Sequence, residues 1–389
     1  MTWLTNIQIV LPDAVLPRGA IEIDGELIGR VVEGAPPAGA QIVNCDGLLA
    51  LPGIIDMHGD MIEHEMEPRP GADFPLDMAI FELDKRLASC GVTTAYAAIS
   101  FWETVRRERQ RSGERSGRIA RGIAALRPQL LLDHRVHARY EVTTPAVAPE
   151  LRALLADRQI DMLSLMDHTP GQGQYRDFEQ YVATISSWRK LDPELVASET
   201  RERMRAAADL PSVWASALDV VELARAQRLP IASHDDDTEA KVALMTEMGV
   251  SISEFPVTLV AARAARARGM AVAMGAPNVL RGRSHTGNLG AGEAIAAGLV
   301  DLLAADYAPA ALLQGALSLV RDGTIDLVAA ARLLSQGPAA AVGLADRGRI
   351  ASGLLADLAI VEPGERPRLR ATIRRGRPIY WDGAMGNRM

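Results

Sequence analysis

Hydrophobic and polar positions in the middle of the chain form two alternating patterns. Short apolar runs that end in polar residues predict strands at 54–58, 93–99, 136–142, 162–167, 231–234, 251–255, 271–274 and 302–306. Between them, apolar residues at helical spacing predict helices at 76–90, 103–126, 214–228, 238–248, 257–268, 291–298 and 308–321. Such alternation predicts a parallel sheet with right-handed crossovers.

The number of these units favours a barrel. Residues 51–337 hold eight strand–helix units, which matches an α/β fold of the (β/α)₈ TIM-like type with about 250 residues. A doubly wound open sheet is the alternative, but no G-x-G-x-x-G follows a strand, which disfavours its dinucleotide-binding form. Residues 169–213 interrupt the pattern, and we expect this insertion to form helices that cover the site.

Both ends of the chain have a different pattern of short strands and turns. Asp24-Gly25 separates two apolar runs and predicts a β-hairpin. Residues 355–361, 371–374 and 378–381 also read as strands that Gly and Pro interrupt. We therefore expect residues 1–50 and 338–389 to form one small, discontinuous β domain beside a barrel domain of residues 51–337 that carries the catalytic site.

The composition argues against a nucleic-acid-binding, membrane or disulfide-rich protein. The chain has 389 residues, 42 Lys+Arg and 49 Asp+Glu, and a formal net charge of −7. This balance gives no general attraction to nucleic acid or to an anionic membrane. With only Cys45 and Cys90 present, a disulfide framework or a multi-cysteine zinc site is excluded. The chain shows neither a signal-peptide pattern nor about 18 continuous apolar residues, so we expect a cytoplasmic protein without membrane or nucleic-acid partners.

Most of the seven histidines follow predicted strands. The carboxyl ends of barrel strands form the active-site face, and alternate residues of a strand point to the same side. On this basis His58 and Asp60 would converge, as would His137, Arg139 and Glu141. The other strand ends supply His168, His234 and Asp306. Imidazole and carboxylate ligands without thiolate predict a centre for Zn, Mn, Fe, Co or Ni.

Two motifs resemble the amidohydrolase superfamily: PGIIDMHGD (52–60) and GRIASGLLADLAIV (348–361). More specific segments are similar to its PhnM family: EPRPG (67–71), LMDHTPGQGQY (165–175), ASHDD (232–236), EFPVT (254–258), MGAPNVLRGRSHTGN (274–288) and AADYAP (304–309). The resemblance implies a metal-bearing barrel with a small β-sandwich from both termini. It also implies a diphosphatase of phosphonate catabolism, in the carbon–phosphorus lyase pathway. Such an enzyme converts alpha-D-ribose 1-methylphosphonate 5-triphosphate to the 5-phosphate and pyrophosphate.

The resemblance also implies roles for individual residues. One or two divalent ions, with zinc favoured, would bind to His58, Asp60, Glu141, His168, His234 and Asp306. Many superfamily members bridge two metals with a carboxylated lysine, but none of the three lysines here ends a predicted strand, so the bridge is assigned to Glu141. Asp306 would also orient the attacking water and take its proton.

A triphosphate requires cationic and N–H donors. The candidates are Arg69, Arg139, His285 and Asn288, with weaker support for Arg281 and Arg283. In the acidic run 235–237, metal binding competes with an interpretation as helix N-terminal acids and caps.

The sequence leaves other functions open. The alternatives are a hydrolase of C–N bonds (deacetylase, deaminase or cyclic amidase) and an inactive scaffold barrel. The expected partner is a small phosphorylated sugar, and the sequence leaves a homo-oligomer open.

Overall fold

The computed structural model describes residues 2–388 except 70, 103–112, 170, 172, 174–177, 208–209, 283–286 and 387. In chain order the strands are β1 (Thr2–Val10), β2 (Val15–Asp24), β3 (Leu27–Glu33), β4 (Gln41–Asn44), β5 (Leu49–Pro52), β6 (Ile54–Gly59), β7 (Val92–Phe101), β8 (Asp133–Glu141), β9 (Met162–Met166), β10 (Ile231–His234), β11 (Ile252–Glu254), β12 (Ala271–Gly275), β13 (Leu302–Ala304), β14 (Leu358–Glu362), β15 (Arg368–Arg374) and β16 (Arg377–Trp381).

The α-helices are α1 (Met61–Met66), α2 (Leu76–Ala88), α3 (Gly113–Leu126), α4 (Ala148–Ala156), α5 (Phe178–Arg189), α6 (Pro193–Ala207), α7 (Leu210–Ala226), α8 (Glu239–Glu247), α9 (Leu259–Ala267), α10 (Ala276–Arg281), α11 (Ala291–Ala296), α12 (Ala310–Arg321), α13 (Leu327–Ala331) and α14 (Gly337–Ala341). A π-helical turn, Arg332–Gln336, joins α13 to α14. No helix among these described residues has both the length and the apolar character needed to cross a membrane.

Strands from the two chain ends form one eight-stranded, mostly antiparallel sheet in the order β16-β15-β14-β5-β1-β2-β3, with β4 paired to β1. The ends join where Leu49 of β5 lies opposite Val361 of β14. Apolar side chains from β1 to β5, β14 and β15 share one buried cluster. The predicted hairpin is confirmed, because Asp24 pairs with Leu27 and Gly25 adopts a φ of 60°, which glycine tolerates without strain. The prediction of a separate terminal β unit is confirmed, and its exact boundaries stay a prediction.

The middle of the chain forms a parallel barrel. Strands β6 to β13 are hydrogen-bonded in chain order. The first and last strands meet at the carboxyl rim, where Gly59 and Asp306 form a parallel bridge. There Asp306 N donates to His58 O at 2.8 Å and Asp60 N donates to Asp306 O at 3.0 Å. These bonds confirm the barrel and disfavour the open sheet.

In the outer layer, α2, α7, α8, α9, α11 and α12 match predicted helices to within a few residues, whereas α4 was not predicted. The predicted helix 103–126 is described from Gly113 onward as α3, and its first ten positions lie outside the described residues. The insertion is helical as expected, with α5 and α6 sharing a small apolar cluster of their own. Gly173 in this insertion donates its N–H to Asp237 Oδ2 at 2.9 Å, which ties the insertion to the barrel rim.

A candidate metal centre at the carboxyl rim

Inward-facing positions of the barrel strands change from apolar to polar toward the carboxyl rim. Ala232 and Ile252 belong to an apolar layer inside the barrel, and two residues further along the same strands come His234 and Glu254. Alternate strand residues face the same side, so this spacing places a polar layer directly above an apolar one. His137 on β8 lies in register with Met162 on β9, and Met162 belongs to the apolar layer.

The first strand departs from this alternation. Opposite Ala95 and Ala97 of β7, β6 carries one extra residue between Asp56 and Gly59. As a result the consecutive residues Met57 and His58 both reach the barrel interior, Met57 in the apolar layer and His58 among polar groups. Such a bulge redirects side chains. It also breaks the alternation by which the sequence placed His58 and Asp60 on one side.

One group of ligand atoms consists of His58, His137 and Glu254. All three side chains are buried, and one potential ligand atom from each lies within 4.8 Å of the others. Glu254 Oε1 is 3.1 Å from His58 Nδ1 and 3.8 Å from His137 Nε2. His137 Nδ1 lies 3.1 Å from Met57 O. Because a carbonyl only accepts, Nδ1 carries the proton and Nε2 keeps a lone pair directed at the group.

The polar atoms of this group fit a cation. In the part of the chain that the structure describes, both ring nitrogens of His58, Nε2 of His137 and both carboxylate oxygens of Glu254 lack a hydrogen-bond partner. The 3.1 Å contact between Glu254 Oε1 and His58 Nδ1 does not have the geometry of a hydrogen bond. A buried polar atom without a partner costs about 1–3 kcal/mol. Burial lowers the pKa of His137 to about 3 and holds the pKa of His58 well below its usual value. Both imidazoles are therefore neutral, which is the form that binds a metal.

A second group consists of His168, His234 and Asp235, whose ligand atoms also lie within 4.8 Å of one another. Asp235 Oδ2 is 3.1 Å from His234 Nδ1 and 3.9 Å from His168 Nε2. Burial alone would raise the pKa of Asp235, but the neighbouring His234 and His168 outweigh it and lower that pKa to about 2. Asp235 is therefore a carboxylate that can ligate a cation together with the two imidazoles.

Glu141 lies beside this second group but belongs to neither group among the described residues. Its Oε1 accepts from Thr143 Oγ1 at 2.6 Å and from His168 N at 3.2 Å, and its Oε2 is 2.7 Å from His168 Nδ1. These contacts orient the His168 ring with Nε2 toward Asp235. Glu141 would have to exchange part of this network to bridge two metals, so its bridging role stays a prediction.

Asp60 and Asp306 lie at the edge of the two groups. Asp60 begins α1, and its Oδ2 is 4.0 Å from Arg139 Nη1. Arg139 Nη2 is in turn 3.3 Å from His234 Nε2. Burial, reinforced by the charge of Asp60, raises the pKa of Asp306 to about 7. The structure thus places both carboxylates around Arg139.

Three non-glycine residues at the rim have left-handed backbones: Asp235, Phe255 and Asp306, with φ of 55°, 53° and 54°. Each donates its N–H to the neighbouring strand. Asp235 bonds Glu254 O and Phe255 bonds Ala273 O, both at 2.9 Å. This conformation is costly for such residues and clusters at functional sites. Here it occurs at strand ends that carry ligand-type side chains.

Two chambers open at the rim. Chamber A, about 450 Å³, is lined by Asp60, Arg139, His168, His234, Asp235, Phe255, Pro256, Val257, Met274, Gly275, Pro277, Asn278, Arg281, Asn288, Leu289, Asp306 and Tyr307. Chamber B, about 570 Å³, is lined by Asp60, Glu63, His64, Glu67, Pro68, Ser100, Trp102, Arg115, Ser116, Ile119, Arg139, Met166, His168 and Tyr307. The chambers therefore share four residues around the second ligand group.

The predicted substrate residues are only partly brought together. Arg139 lines both chambers, and Asn288 and Arg281 line chamber A. Arg69 is exposed and lines neither chamber. His285, like Arg283, lies outside the described residues.

Sequence reasoning missed Glu254, did not assign His137 as a metal ligand, and left Asp235 undecided. An acid at the end of the predicted strand 251–255 was the available signal for Glu254. The capping interpretation of the acidic run was wrong. Thr238 caps α8 by accepting from Lys241 N, whereas Asp236 is buried and its Oδ2 accepts from Ser233 and Ser253 at 2.5 and 2.6 Å.

The structure agrees with the prediction that none of the three lysines ends a barrel strand. Lys85 lies in α2, Lys190 follows α5, and Lys241 lies in α8, so no lysine belongs to a barrel strand. Lys241 instead donates from Nζ to His234 O at 3.0 Å, which supports the second ligand group from outside the barrel.

Comparison with known proteins finds similarity in sequence to a curated enzyme and similarity in fold to solved structures. No family model matches the chain. The alpha-D-ribose 1-methylphosphonate 5-triphosphate diphosphatase of Escherichia coli (strain K12) is 33% identical over 366 residues, which cover 92% of this chain and 94% of that protein. Among solved structures, N-acetyl-D-glucosamine-6-phosphate deacetylase from Mycobacterium smegmatis has a TM-score of 0.65 at 17% identity, covering 98% of this chain and 100% of its own. The 5-methylcytosine deaminase from Klebsiella pneumoniae has a TM-score of 0.66 at 14% identity, covering 98% and 97%. These structures show the fold alone.

Proposed function

The chain belongs to the family of alpha-D-ribose 1-methylphosphonate 5-triphosphate diphosphatases, and from that premise we propose that it hydrolyses this triphosphate in phosphonate catabolism. The products are the 5-phosphate and pyrophosphate. The observation that carries the proposal is the match to the Escherichia coli enzyme over almost the whole chain. The distant structural neighbours, which include C–N hydrolases, are less similar and favour the alternative function less.

The enzyme is a metal-dependent hydrolase, and its rim fits divalent cations. We assign one ion to His58, His137 and Glu254 and a second to His168, His234 and Asp235. The donor chemistry suits zinc first and also Mn, Fe, Co or Ni. When bound, such ions polarise phosphoryl oxygens and lower the pKa of a nearby water. Asp60, Glu141 and Asp306, which the sequence also assigned as ligands, lie beside these groups, and their part in metal binding stays a prediction.

The residues of the chain would carry the reaction as follows. A water oxygen attacks the α-phosphorus while the bond from this phosphorus to the oxygen that bridges to the β-phosphorus breaks. Asp306 orients that water and accepts its proton at a carboxylate oxygen. The backbone pairing of Asp306 with His58 fixes this carboxylate relative to the first ligand group.

Cationic side chains would bind the polyanion. Arg139 lies between Asp60 and His234 and can pair with oxygens of the reacting phosphoryl group, because a guanidinium matches phosphate geometry. Arg281 and Asn288 line chamber A and would contact the leaving pyrophosphate. His285 stays a candidate for the same end. Arg69, which is exposed, would have to act from the chamber entrance.

The decisive experiment incubates the metal-loaded enzyme with the ribosyl triphosphate and, in parallel, with N-acetylglucosamine 6-phosphate. We expect pyrophosphate in amounts equal to the triphosphate consumed and no amine release. In ¹⁸O-water the label should enter the 5-phosphate product. Amine release without pyrophosphate would establish the C–N alternative, and label in pyrophosphate would contradict attack at the α-phosphorus.

A further inference from the structure

We infer that chamber B binds the ribosyl 1-methylphosphonate half of the substrate and that chamber A binds the pyrophosphate half. This inference rests on the proposed function. The α-phosphorus of that substrate lies between two unlike halves, a polyanion on one side and a sugar with a singly charged phosphonate on the other. Attack at this atom requires the site to hold a group on each side of the reacting centre.

The two chambers have the required arrangement. They meet at Asp60, Arg139, His168 and Tyr307, and His168 belongs to the second ligand group. A substrate held there at its α-phosphorus extends into one chamber on each side. Both volumes, about 450 and 570 Å³, fall in the range of about 300–1,000 Å³ that small-molecule sites occupy.

The position of the charged residues relative to the proposed metal centre decides which half enters which chamber. Beyond the shared residues, chamber A presents Arg281 and Asn288, which can donate hydrogen bonds to a polyanion. Its further carboxylates, Asp235 and Asp306, lie at the proposed metal centre, where bound cations offset their charge.

The acids of chamber B lie away from the proposed metal centre. Its own acidic residues are Glu63 and Glu67, both outside the ligand groups that the described residues form. Carboxylates repel a pyrophosphate but accept hydrogen bonds from sugar hydroxyls. Glu63 is held in place because its Oε1 accepts from Ser100 N at 3.3 Å. Arg115, whose Nη2 is 3.3 Å from Glu67 Oε2 and 3.0 Å from Asp73 Oδ1, also lines this chamber. It would have to share its charge between these carboxylates and the singly charged phosphonate.

Trp102 adds an aromatic surface to chamber B. Its ring stacks on His168 with centroids 6.3 Å apart and an interplanar angle of 25°. An indole in this position gives the apolar face of a ribose a flat surface beside the reacting centre. Trp102 lines chamber B and is not among the residues that line chamber A, so it distinguishes the two halves of the substrate.

Inhibition of the metal-loaded enzyme by its two products tests the assignment. Glu63→Gln should raise the inhibition constant of ribose 1-methylphosphonate 5-phosphate about tenfold, because one strong hydrogen bond is lost. The inhibition constant of pyrophosphate should change by less than about twofold. Arg281→Ala should do the reverse. The matched controls are Glu65→Gln, on the same helix but paired with Arg86 at 2.7 Å, and Arg321→Ala, whose side chain pairs with Asp322. Both controls should behave as wild type.

A truncated substrate gives a second measurement. Glu63→Gln and Glu63→Ala should lower kcat/KM for the ribosyl triphosphate but leave kcat/KM for methyl triphosphate unchanged, since the latter has no sugar to lose. If these variants impaired pyrophosphate binding instead, or affected both substrates equally, the assignment of the chambers would be wrong. A wild-type enzyme that released no pyrophosphate would overturn the proposed function itself, which is a separate outcome.

Discussion

Two buried histidines on β8 lie three residues apart and have opposite surroundings. At the amino end of the strand, His134 Nε2 is 3.0 Å from Asp84 Oδ1, and the Asp84 carboxylate also accepts from Leu131 N at 2.7 Å and Leu132 N at 3.1 Å. Further along, His137 uses one nitrogen for Met57 O and leaves the other without a partner among the described residues. His134 completes a hydrogen-bond network within the protein. His137 keeps one ring nitrogen available for a metal ion.

The same contrast holds for the two ends of the barrel. At the amino end, Arg347 donates to Asp133 Oδ2 at 2.7 Å and to Thr94 Oγ1 at 2.9 Å. At the carboxyl end, Glu254 is equally buried, yet neither of its oxygens has a hydrogen-bond partner within the described ranges. Buried polar groups in native proteins are nearly always satisfied. The contrast therefore teaches that the amino end stabilises the barrel, whereas the carboxyl end is built for ligands at a cost in stability.

The largest effect is expected at the carboxyl end, from Asp306→Asn. Loss of a general base typically lowers turnover about 10²- to 10⁴-fold, and the near-isosteric amide should leave the melting temperature almost unchanged. Pyrophosphate release and thermal unfolding measure the two quantities. A variant with full activity would show that Asp306 takes no part in proton transfer.

The next effect is on metal binding. Glu254→Gln should weaken it by more than the roughly 10- to 100-fold typical of outer-shell partners, and the purified variant should contain at least one ion fewer per chain. In excess chelator its melting temperature should equal or exceed that of wild type, because the change removes a buried carboxylate that accepts no hydrogen bond from the described residues. Elemental analysis and melting with chelator check both points.

Glu141→Ala is the matched comparison for the bridging role. Loss of an ion from this variant would support the bridge. Unchanged metal stoichiometry would leave Glu141 as the partner that orients His168.

The smallest effect is expected at the amino end, from Asp84→Asn. Unlike the changes at the carboxyl end, it should affect stability and not metal binding or turnover. The amide NH₂ would face the backbone donors of Leu131 and Leu132, so the free energy of unfolding should fall by about 1–3 kcal/mol. Metal content and turnover should stay at wild-type values. Urea unfolding of the metal-loaded protein measures the first quantity, and a loss of metal at unchanged stability would reverse the comparison between the two ends.

The sequence predicted the barrel because its signals are local. Each strand–helix unit shows its own periodicity, and the parallel order follows from the alternation. Position at a strand end also indicated His58, His168 and His234, which the structure brings together at the rim.

The sequence could not predict in the same way which ligand side chains meet at the rim. Whether Glu254 meets His58 depends on four intervening barrel strands, on closure between β13 and β6, and on one extra residue in β6. The sequence gives no local sign of such a bulge, and a shift of one residue sends a side chain to the other face. The same limit led to the wrong interpretation of Asp236, whose serine partners lie on two adjacent strands.

By itself the sequence determined the architecture, the chemistry of the donors and the absence of a lysine that could bridge two metals, because composition and periodicity are properties of the chain. Only the tertiary structure decided which donors share a cation and which carboxylates are already satisfied. It also decided that two chambers meet at one centre. Those outcomes depend on distances of a few ångströms between residues far apart in sequence, and these distances are set when the barrel closes.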